Sequence, residues 1–99
     1  MILNIDVNDA RNVINQIPTK VFDSHDFIEL FCKLEKQEYI DALKAYQDNN
    51  GDGFRTLHQV ISNYLERNDV KLNIKRIGTV NSKDVHGNDV PNAQWQKTN

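Results

Sequence analysis

The sequence predicts an α+β fold with helices first and strands last. Two observations carry this. Apolar residues recur at helical spacing in successive stretches up to Arg67, and from Val70 onward they alternate with polar ones, the period of a strand. Charge changes sense along the same line. Residues 1–50 hold 5 Lys/Arg against 9 Asp/Glu, whereas residues 51–99 hold 7 against 5.

A length of 99 residues fits one domain spanning the chain, with a helical part over 8–68 and a β-hairpin over 70–97. Hydrophobic residues make up 38% and charged residues 26%, which separates the chain from disordered and membrane classes. The start, MILNIDVNDAR, has no basic segment followed by an apolar run, so no secretory signal is expected. Cys32 is the single cysteine and rules out an internal disulfide, which fits a reducing, cytoplasmic setting.

The first helix is expected over 8–17, where Val7, Ala10, Val13, Ile14 and Ile17 form one stripe. Asn8 or Asp9 can cap it, and Pro18 ends it. Lys20-Val21-Phe22 is a short extended piece. Asp23 and Ser24 then offer capping oxygens to a helix over 25–34, with Phe27, Leu30, Phe31 and Leu34 as its apolar face. The stripe lapses at Glu35–Gln37 and resumes at Tyr39, Ile40, Leu43 and Tyr46. A break there makes two helices; a bend makes one, so the cluster holds three to four helices in all.

Asp48–Gly53 reads as a turn, because Asn, Asp and Gly favour turn and left-handed backbone. The last helix is expected over Leu57–Arg67, where Leu57, Val60, Ile61, Tyr64 and Leu65 fit the helical template. Thr56 and Gln59 form a capping-box pair, and Asn68 suits a left-handed stop. Val70, Leu72 and Ile74 start a strand that continues through Ile77 and Thr79 after a bulge. A polar loop over Ser82–Asp89 follows, and Ala93 and Trp95 alternate in a second strand. A helical cluster closed by a C-terminal β-hairpin is winged-helix-like in outline, with the Val21 strand expected to pair with the hairpin.

Three kinds of chemistry can be weighed. DNNGDGFRTLHQ, residues 48–59, resembles the EF-hand calcium loop, with Asp48, Asn50, Asp52, Gly53 and Thr56 at matching positions. It departs at the end, where Gln59 stands in place of a bidentate glutamate, so no metal site is assigned. Asp23-Ser24-His25-Asp26 places triad residue types in a row, but consecutive residues at a helix start do not converge. No catalytic constellation and no cofactor motif are read, so an enzyme is not expected.

Nucleic acid is the third. With the apolar stripe of Leu57–Arg67 turned inward, Arg55, His58, Gln59, Ser62 and Asn63 face outward, and Arg, Gln and Asn are side chains that read base edges. Lys75, Arg76 and Lys83 follow on the hairpin and can meet phosphates. The expectation is a non-enzymatic binding domain, a DNA-associated regulatory or accessory protein contacting double-stranded DNA. The alternative is a protein–protein interaction module or inhibitor whose acidic helices meet a protein partner.

Overall fold

The structure, a computed structural model, describes residues 5–50, 53–83 and 87–98. The elements run α1 (Val7–Gln16), β1 (Val21–Asp23), α2 (Ser24–Leu34), α3 (Lys36–Asn50), α4 (Gly53–Arg67), α5 (Asp69–Leu72), β2 (Ile74–Lys83) and β3 (Asp89–Lys97). The order is helices first and a hairpin last, as the change of period predicts.

In α1, Ala10, Val13 and Ile14 are buried. Its cap is Asp6, two residues before the expected Asn8, and the Asp6 carboxylate accepts from the Asn8 amide at 2.7 Å. Asp23 caps α2 in a reciprocal pair: it accepts from the Asp26 amide, and Asp26 accepts from the Asp23 amide. The buried face of α2 is Phe27, Ile28 and Phe31, while Leu34 stays 39% exposed, which corrects the expected face. Glu35 separates α2 from α3, so the lapse in the stripe is a true break.

The expected turn at Asp48–Gly53 is corrected at both ends, and its residues 51–52 lie outside the described ones. Helix α3 continues to Asn50, and α4 begins at Gly53, four residues before the expected start. Turn propensity of Asn, Asp and Gly is a local preference, and the packing of α3 along α4 overrides it. Thr56 consequently lies inside α4 and caps nothing. Buried Leu57, Ile61 and Leu65 fix α4 to the core.

Asn68 ends α4 differently from the expectation. Its φ of −116° lies outside the left-handed region, and its side-chain amide instead donates to the Tyr64 carbonyl at 2.9 Å. The left-handed residue is Asn73, at φ 56°. The expected strand start at Val70–Leu72 is also corrected: these residues form α5, with Val70 84% exposed and Leu72 buried. The spacing of two between Leu72 and Ile74 joins a helix end to a strand start through Asn73.

The three strands form an antiparallel sheet in the order β1-β3-β2. Phe22, Trp95 and Arg76 lie side by side across it. The register slips between Arg76 and Gly78, so the expected bulge falls at Ile77. Pairing continues to Lys83 opposite Asp89, which shortens the expected loop of Ser82–Asp89 from both ends. Each element gives at least one residue to a single apolar core. Within it, Trp95 is 1% exposed and its indole N–H donates to the buried Ser24 hydroxyl at 3.1 Å, joining the sheet to the start of α2.

Candidate functional site

Helix α4 leads through α5 directly into β2, so the candidate contact residues fall on two neighbouring surfaces. On α4, Gln59 is exposed, and His58, Ser62 and Asn63 are half-buried. The Gln59 side-chain amide donates to the Asn63 side-chain oxygen at 3.3 Å, one helical turn on. His58 is drawn toward α3, where its Nε2 lies 2.8 Å from the Tyr39 hydroxyl. It is thus part of the α3–α4 packing as well as of the outward face. Arg55 lies in α4, with its side chain outside the described ones.

On the hairpin, Lys75, Arg76 and Lys83 are exposed. Arg76 makes three hydrogen bonds through its guanidinium. Its Nη1 meets the Glu66 carboxylate at 2.7 Å, its Nη2 donates to the Thr79 hydroxyl at 3.0 Å, and its Nε donates to the Gly78 carbonyl at 3.4 Å. The guanidinium therefore spans the bulge and ties β2 to the end of α4. Lys83 meets Asp89 at 3.2 Å across the hairpin. Lys75 has no ion-pair partner among the described residues. The structure thus brings Arg76 against α4 through Glu66, and places Lys83 toward the far end of the hairpin.

A polar ring that sequence spacing could not reveal braces that far end. The His25 amide donates to the Asn92 side-chain oxygen at 3.1 Å, the Asn92 amide donates to the Ser82 hydroxyl at 2.9 Å, and Ser82 lies 2.6 Å from His25 Nδ1. Asn92 also donates to the Val80 carbonyl at 3.1 Å. His25 and Ser82 are 57 positions apart, so only the fold joins them. Ser24 and His25 diverge: Ser24 faces Trp95 and His25 faces the hairpin.

An acidic cluster is formed by Asp9 on α1, Glu35 between α2 and α3, and Glu38 on α3. Ligand oxygens of Asp9, Glu35 and Glu38 lie within 4.8 Å of one another, a set with the hardness to hold a divalent cation. Burial raises the Glu38 carboxyl above its ordinary value, and Glu35, Asp9 and Asp6 add to the rise. The Tyr64 hydroxyl is buried without a hydrogen-bond partner among the described residues, and burial followed by Asp6 and Asp9 raises its pKa. Of the EF-hand-like segment, residues 48–50 are helical in α3 and residues 53–59 in α4, and residues 51–52 lie outside the described ones. Cys32 is half-buried, and burial pushes its thiol up, which disfavours the thiolate.

Glu38 carries a pH prediction. A carboxyl raised in the folded state binds its proton more tightly there than in the unfolded chain. It therefore lowers stability as pH rises from its ordinary value of 4.5 through the folded pKa. Glu38→Gln should raise the melting temperature at pH 7, and the gain should vanish below about pH 4.5. Thermal melts of both proteins across that range check it; a gain that is constant with pH would contradict it.

No helix among the described residues is long and apolar enough to cross a membrane. Comparison with protein-family models, with curated proteins and with solved structures gave no match.

Proposed function

We propose that the chain is a winged-helix-like DNA-binding domain that acts by association and not by catalysis. The observation that supports this reading best is the order of elements combined with the sheet order β1-β3-β2, since a short strand between the first two helices pairs with the last strand of the hairpin. In that arrangement α4 is the reading helix and the hairpin is the wing. Helix α3 is an addition between α2 and α4. The Gln59 and Asn63 amides offer donors and acceptors to base edges, His58 and Ser62 border them, and Arg55 stands near the start of the helix. Lys75, Arg76 and Lys83 serve the phosphates. The ring of His25, Ser82 and Asn92 holds the wing to α2.

With a net charge of −2 and only a few cations on this side, binding to arbitrary sequence is expected to be weak and steeply dependent on salt. Fluorescence anisotropy with a random-sequence duplex at graded salt tests this. Lys75→Ala should weaken binding and reduce the slope of log K against log salt by about one phosphate contact, roughly 0.9. Absence of binding at the lowest salt, or binding that ignores salt, contradicts the reading.

A further inference from the structure

Two of the hairpin's three candidate phosphate-binding cations are held by carboxylates of the same surface: Arg76 by Glu66 and Lys83 by Asp89. The Glu66 carboxylate stands where a backbone phosphate would, with an oxygen 2.7 Å from Nη1. Glu66 also lies on α4 itself, so its charge opposes a phosphate that approaches the helix. We infer that Glu66 and Asp89 are specificity-determining residues that restrain DNA binding, each occupying a cation that unspecific backbone contact would otherwise recruit. This rests on the DNA-binding reading above.

The physical balance is simple. Both pairs are exposed to solvent, Arg76 and Glu66 at 47% and 49% and Lys83 and Asp89 at 68% and 69%. Such pairs are weak, so a phosphate can displace the carboxylate, but the displaced charge then stays beside the DNA. Only a site that adds base contacts through α4 overcomes that repulsion. Neutralising the carboxylate removes it while leaving an amide oxygen to accept from the same cation.

The test uses the full chain and a random-sequence duplex. Glu66→Gln should tighten binding by roughly two- to fivefold at low salt. It should also steepen the salt slope by about 0.9, because Arg76 then adds a phosphate contact. Asp89→Asn should act likewise through Lys83, and the double substitution should show both effects. Glu29→Gln is the control: it frees Lys33 from a comparable pair within α2 and changes net charge equally, but neither residue pairs with a candidate contact on α4 or the hairpin. Adding Arg76→Gln to Glu66→Gln should abolish the gain. Equal gains from Glu66→Gln and Glu29→Gln, or a gain that survives Arg76→Gln, would overturn the inference while the DNA-binding reading stands. Failure of both the natural chain and the double variant to bind at any salt would remove that reading and the inference with it.

Discussion

Replacing Trp95 with alanine is expected to destabilise the fold by about 3–5 kcal/mol, the cost of removing a large aromatic from a filled core. Three contributions converge at this residue. Its ring is 1% exposed, so nearly the whole side chain becomes cavity. It sits on the central strand of the sheet, opposite Phe22 on β1 and Arg76 on β2, so the cavity opens where both neighbouring strands meet the core. Its indole N–H donates to Ser24, which is itself fully buried. Trp95→Phe separates the terms. It keeps much of the packing and drops the hydrogen bond, for a loss of about 1–2 kcal/mol. Because Trp95 is the only tryptophan, unfolding must be followed by circular dichroism in denaturant. Against a total stability of order 5–15 kcal/mol, this loss should move the denaturation midpoint far toward lower denaturant. A loss under about 1 kcal/mol would mean that the hairpin is not anchored through this ring.

A loss of similar size, about 3–5 kcal/mol, is expected for Phe27→Ala. Helix α2 packs against α1, α3, α4, β1 and β3, so it is the element through which the others meet. Phe27 is 0% exposed on its inner face, and its ring stacks on Phe31 with centroids 6.0 Å apart. Removing it opens the centre of that contact. Phe27→Leu retains most of the apolar volume and should cost clearly less; alanine is the better helix former, so the larger loss for Phe27→Ala comes from the cavity and not from helix propensity. Denaturation midpoints for the two variants check the ranking, and equal losses would contradict the packing account.

How much of this could be read from the sequence depended on how local each cause is. The stripe of Ala10, Val13, Ile14 and Ile17 is buried as its period requires, and the break at Glu35 is visible because the phase of the apolar residues changes there. The bulge at Ile77 was legible for the same reason. At Asp48–Asn50 the local turn preference of Asn and Asp yields to the packing of α3 along α4, which lies outside the reach of a local pattern. Val70 misled because alternation over three residues cannot distinguish a strand from the end of a short helix. Its exposure and the left-handed Asn73 show which applies.

The candidate site divides in the same way. The outward face of α4 follows from helical period alone, so Gln59, Ser62 and Asn63 could be named. That His58 leans on Tyr39, and that Arg76 is bound by Glu66, depends on which elements meet. The ring of His25, Ser82 and Asn92 and the cluster of Asp9, Glu35 and Glu38 are gathered from separate elements, and no spacing in the chain announces them.

The central claim is that one surface, α4 with its hairpin, meets duplex DNA. Amide chemical shifts of the 15N-labelled protein, followed as a random-sequence duplex is added at low salt, test it most directly. The account predicts changes concentrated at His58, Gln59, Ser62, Asn63, Lys75, Arg76 and Lys83, reversed by added salt. Changes centred on Asp9, Glu35 and Glu38, or none at any DNA concentration, would contradict it.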